Sequence, residues 1–167
     1  MMLKFLTFCR LLFAPCLISV LIAITGPGVA SADDSRSLIR AYAETIYVPA
    51  YSHVFISQNM RQPLASTLVV HNVDPKRAIS LISVRYHNQA GALLREFLDE
   101  PRELQSFASS NFLTVINDDA GGVGANYIVE WEAKEAAISP TVEAIMIGGS
   151  GTHGISFSSV GRVIDRR

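Results

Sequence analysis

From residue 45 onward, apolar side chains recur in short runs, many with a period of two, divided by clusters of Gly, Pro, Asn and Asp. A period of two places successive side chains on opposite faces of a pleated strand, so each run predicts a strand with one buried face. Residues 79–87 set Ile82, Val84 and Tyr86 on one face against Ser83, Arg85 and His87 on the other. Residues 126–133 set Tyr127, Val129 and Trp131 against Asn126, Ile128, Glu130 and Glu132, which makes Trp131 the expected large core side chain. Further strands are expected at 45–56, 64–73, 92–98, 110–116, 141–147 and 155–164. Pro49 removes an amide donor inside the first of these runs, predicting an edge strand or a strand with a break. Residues 104–109 read as a crossing segment and 134–140 as a connector with some helical character. Residues 33–44 read as a short helix or a polar linker. Seven to eight strands with turn signals between them predict an all-β fold over residues 45–167. The expected form is an antiparallel two-sheet β-sandwich of the immunoglobulin-like kind.

The first 32 residues follow a different pattern. Lys4 and Arg10 precede an apolar core at 11–24, Gly26-Pro27-Gly28 breaks it, and Ala30-Ser31-Ala32 offers small side chains to a peptidase. These are the parts of a secretory signal with a cut after Ala32. The expected location is therefore the periplasm or the exterior, with no membrane span left after cleavage. The alternative is a chain tethered by an uncleaved signal, because residues 11–32 carry no charge and nearly reach the length of a span. The signal also inflates the 49% hydrophobic content. Both cysteines, Cys9 and Cys16, fall inside it, so no disulfide or thiolate is available to the remainder. Net charge is −1 for the whole chain, and removing Lys4 and Arg10 makes the rest more acidic. A mildly acidic domain without a basic block argues against nucleic acid as a partner.

Few residues point to chemistry. Glycines at 121, 122 and 124 precede a strand with no Lys-Ser/Thr after them, so a flexible connection explains them better than a phosphate cradle. Residues 148–154 resemble a nucleophile elbow only superficially, since Thr152 stands where G-x-S-x-G needs glycine and a strand follows. Glu130 and Glu132 lie on one face about 7 Å apart along a strand, where they cannot face each other across a sugar. Asp118 and Asp119, with Asn126 beyond them, are candidate binding residues, but the regular oxygen spacing of a calcium loop is missing. Four histidines, His53, His71, His87 and His153, show no metal-ligand spacing. A site built across strands from His53, His71 and His87, with Met60 as a soft ligand, is the metal alternative. Tyr51, His53 and Phe55 in the first run are candidates for an adhesive edge. No cofactor is implied. The gly-rich segments at 117–125 and 148–154 both precede late strands and are expected at one end of the domain.

Four stretches carry a family resemblance: Ile46-Tyr47-Val48-Pro49-Ala50-Tyr51-Ser52-His53, residues 68–77 (LVVHNVDPKR), residues 121–131 (GGVGANYIVEW) and residues 143–157 (EAIMIGGSGTHGISF). In this order they resemble a bacterial exported family known only as domain of unknown function 3124. Ala50 replaces a usual second valine and Val123 a usual small residue such as serine, neither with a chemical consequence. The resemblance implies a periplasmic or lipid-anchored envelope protein and brings no activity, cofactor or catalytic residue with it. The expectation is a non-enzymatic module that binds an envelope protein or a small ligand. Copper or zinc handling by the histidines is the alternative.

Overall fold

The computed structural model describes residues 39–150 and 153–167. The expected signal, residues 1–32, and the first half of the polar lead, residues 33–38, lie outside the described residues. Alternation of apolar and polar positions produces strands nearly throughout: β1 (Arg40–Pro49), β2 (His53–Ser57), β3 (Met60–Pro63), β4 (Ala65–His71), β5 (Ile79–His87) and β6 (Leu93–Glu96). Then come β7 (Arg102–Leu104), β8 (Ser109–Thr114), β9 (Asn126–Ile138), β10 (Thr141–Ser150), β11 (His153–Val160) and β12 (Arg162–Arg166). The described chain is nearly all β, its sheets are antiparallel, and it has no α-helix.

One sheet runs β12-β1-β9-β5-β6, with β7 also paired to β5; a second runs β11-β10-β4-β8; β2 and β3 form a hairpin of their own. Both larger sheets feed one core. Ile46, Val48, Val84, Val129 and Trp131 come from the first, and Leu68, Val70, Val142, Ala144 and Met146 from the second. Trp131 is buried as expected, and its indole Nε1 donates to Glu44 Oε2 at 3.2 Å. The Tyr127 ring is buried too, and its hydroxyl lies 2.8 Å from Thr114 Oγ1 at the end of β8.

Several local expectations are corrected. Strand β1 starts at Arg40, so the lead is neither helix nor linker from there on. Ala41 and Glu44 face Ala137 and Trp131 of β9, and the Tyr42 and Ala43 amides both donate to the Arg167 carbonyl. Residues 134–138 are strand rather than helical connector, because β9 continues through a register irregularity opposite Ala41 and Ala43. Ile82 leaves the inner face: a bulge between Leu81 and Ser83 re-phases β5, so that Ile79 and Leu81, then Val84 and Tyr86, point inward. Pro49 is the break expected in the 45–56 run: it ends β1, and the run becomes two strands in two sheets, with β3, unmarked by any alternation, as partner of β2. Gly148 and Gly149 are strand residues of β10, paired with Ile155 and Gly154 of β11, so both strands run further than the sequence suggests.

The 72–77 stretch has a structural purpose. Asn72 Nδ2 donates to the carbonyls of Arg77, Leu104 and Gln105. Asp74, fully buried, accepts from the amides of Lys76, Arg77 and Ile138 and from Arg40 Nη1 at 2.7 Å. Burial by itself raises this carboxyl; the three amide bonds and Arg40 outweigh it and bring the pKa down from 3.8 to about 2. Glu44, also fully buried, accepts from Trp131, Ser139 and Arg166, tying β12 to β1. Both ionic knots lie at the end of the sheets where the described chain enters and leaves, at Arg40 and Arg167.

Candidate functional site

The opposite end is built where β1 and β5 finish and β9 begins, with Pro49, Asn126 and His87 side by side in register. Past β1 the chain leaves the sheet, and Ser52 becomes the junction. Its amide and hydroxyl donate to the Gly122 carbonyl, and its own carbonyl accepts from the Leu64 amide at the start of β4. Gln62 Nε2 donates to the Gly149 carbonyl of β10 at 3.4 Å. The β2–β3 hairpin, the 117–125 loop and Gly149 of β10 are thus linked at one end of the domain.

The loop is seated by Tyr86. A Cβ at Gly121 would lie 2.0 Å from the Tyr86 hydroxyl, so only glycine lets this backbone pass over the ring, and Gly122 next to it takes φ 76°. The Tyr86 hydroxyl is buried without a hydrogen-bond partner among the described residues, and burial pushes its pKa upward. The Tyr86 and Tyr127 rings lie 5.0 Å apart beneath the loop.

The sequence-derived candidates distribute as follows. Tyr51 is half-buried and packs edge-on against Phe157, with ring centroids 5.6 Å apart. His53 is buried, its Nδ1 3.3 Å from the Ser52 hydroxyl and its ring 5.3 Å from that of Phe55. Asp118 pairs with Arg95 at 3.1 Å and Asp119 with Arg61 at 2.8 Å. Asp118 thus ties the loop to β6 and Asp119 ties it to β3. Asn126 is a half-buried ladder residue of β9.

The metal set is scattered. His71 stands at the far end of β4, opposite Thr141 and Ser109, while His53, His87 and Met60 lie at the Pro49 end on separate strands. Among the described residues no group of three or more His, Cys, Asp or Glu side chains stands close enough to hold a metal ion. His87 has a buried Nδ1 without a partner among the described residues; desolvation, then Arg85, lowers its pKa.

What does gather at this end is exposed apolar surface. Phe55, Ile56 and Met60 on the hairpin are 60%, 57% and 56% exposed. Leu93 and Leu94 after the β5–β6 turn, Val115 and Ile116 after β8, and Ile147 on β10 are exposed as well. Of these only Phe55 stood out in the sequence as an adhesive residue. Apolar side chains at strand ends read as core, and Met60 read as a sulfur ligand.

A crystal structure titled Thermotoga maritima 1070 resembles this fold with a TM-score of 0.41 at 10% identity, covering 74% of this chain and 97% of that one. No curated protein matches the chain. A family model described as protein of unknown function DUF3124 matches residues 43–164, from early in β1 into β12, and the chain belongs to that family.

Proposed function

We propose that this protein is an exported, non-enzymatic module of the bacterial envelope. In this reading it is an immunoglobulin-like β-sandwich that binds a protein partner through the end carrying the β2–β3 hairpin. One observation carries the reading: Phe55, Ile56 and Met60 expose apolar side chains on a hairpin belonging to neither large sheet. Solvent does not stabilise three large apolar groups on one short hairpin, whereas a partner that buries them gains ~1.5–3 kcal/mol for each side chain fully covered. Export is supported by the charge, apolar core and small-residue pattern of residues 1–32.

The test is native mass spectrometry of the protein isolated from its own envelope, beside a variant carrying F55S, I56S and M60S. All three side chains are more than half exposed, so the variant is expected to fold. The wild type is expected to carry an additional protein mass that the variant lacks. An identical partner on both proteins, or none on either, overturns this reading.

A further inference from the structure

The second sheet ends on β8, and this edge differs from the others. Natural sheets protect a free edge with charge, proline or a bulge, because unpaired amides and carbonyls along it invite another strand. Edge strand β12 carries Arg162, Asp165 and Arg166 and a register break against β1. Edge strand β6 carries Arg95 and Glu96 and a register break against β5, and β7 carries Arg102 and Glu103. Strand β11 lacks charge, but its Ser159 hydroxyl donates to the Pro49 carbonyl of β1, and the chain turns at Gly161 into the first sheet. These contacts tie the end of β11 to the first sheet.

Strand β8 itself carries none of these protections, and the one charge near it, Arg102 of β7, lies on its inner face. Residues 104–117 contain no charged side chain and no proline, and β8 pairs with β4 in unbroken register from Ser109 to Thr114. Among the described residues, no backbone hydrogen bond reaches 109–114 from the side away from β4. Arg102 donates to the Ser110 hydroxyl and lies over the Phe112 ring, so it covers the inner-facing side chains and leaves the outer ones open. Outside, Leu113 is 50% exposed and continues across the sheet into Thr67 and Ile145, a row without charge.

The geometry points to β8 as a dimerisation edge that pairs antiparallel with β8 of a second copy of this chain, about a twofold axis near Asn111. The occupant follows from charge. A partner chosen by electrostatics finds no charge on the strand itself to complement, whereas a second β8 sets uncharged residues against uncharged residues along its whole length. With Asn111 on the axis, its amide meets its own counterpart, which offers both a donor and an acceptor, and Ser109 faces Leu113 on each side. Two four-stranded sheets then become one continuous sheet, and the open edge disappears. This is a different surface from the hairpin end, and either assignment can fail without the other.

The test is sedimentation of the purified full chain over a concentration series, with L113K, a control I164K on β12, and the hairpin variant F55S/I56S/M60S. A reversible dimer is expected, weakened at least about tenfold by L113K and unchanged by I164K. In a chain with Cys9 and Cys16 replaced by serine, N111C is expected to form an intermolecular disulfide, and Q58C is not. A monomer at every concentration overturns the proposal. So does a dimer indifferent to L113K, or one lost only in the hairpin variant, which would move self-association to the hairpin end.

Discussion

Replacing Asp74 by asparagine tests whether the buried knot at the chain-entry end holds the two sheets together. Asp74 Oδ1 accepts from the Lys76 and Arg77 amides, and Oδ2 from Ile138 and Arg40. In D74N one oxygen keeps two amide bonds, but an NH2 group must now face the Ile138 N–H and the Arg40 guanidinium, donor against donor. Breaking a buried pair from one side costs ~3–5 kcal/mol, much of it the penalty of leaving the remaining groups unpaired. For a domain of this size a loss of ~3 kcal/mol lowers the midpoint of thermal unfolding by roughly 10 °C. The assay is urea denaturation followed by emission of Trp131, the sole tryptophan. The pH dependence isolates the ionic part. The folded carboxyl titrates at about 2 against an ordinary 3.8, so its contribution is complete above 3.8 and vanishes as pH falls through about 2. That shift corresponds to about 2 kcal/mol, by which the gap between wild type and D74N narrows on acidification. A D74N protein within ~1 kcal/mol of wild type at neutral pH, or a gap constant from pH 7 to pH 2, refutes the reasoning.

Two further perturbations address the buried groups under the 117–125 loop. His87 is held neutral by desolvation and by Arg85, so unfolding takes up a proton below the ordinary 6.5. Stability should fall as pH drops below that value, and H87Q should flatten this part of the curve; an unchanged curve by calorimetry contradicts the assignment. Y86F removes a buried hydroxyl without a partner among the described residues, so it should match wild type or exceed it by up to about 1 kcal/mol, as measured by denaturant midpoint. A loss of stability in Y86F means that the hydroxyl is satisfied.

Much of the architecture was legible because burial and period agree. Tyr127, Val129 and Trp131 alternate in sequence and lie buried together in β9. Where the fold departs from strict alternation the reading went astray for identifiable reasons. Ile82 is the extra residue of a bulge, and period-two logic cannot see a bulge from one strand alone. Glu44 read as part of a polar lead, although it shares the parity of Ile46 and Val48; its partners Trp131, Ser139 and Arg166 are far away in sequence. The strand character of 134–138 depends on pairing with β1, which outweighs the local helix preference of Lys, Glu and Ala. The candidate site was visible at Tyr51, His53 and Phe55 and in the 117–125 segment with Asp118, Asp119 and Asn126. Its exposed members at Leu93, Leu94, Val115 and Ile116 carry a strand-core signature, and only the tertiary structure shows that they emerge at one end.

The most direct test of the account compares two isoleucines of equal exposure, Ile56 on the hairpin and Ile164 on β12, both 57% exposed. A photo-crosslinking amino acid is placed at each in turn, in the protein produced in its own cell. The account predicts a discrete adduct to one other protein from position 56 and none from 164. An adduct from 164 alone, or equal labelling from both, contradicts it.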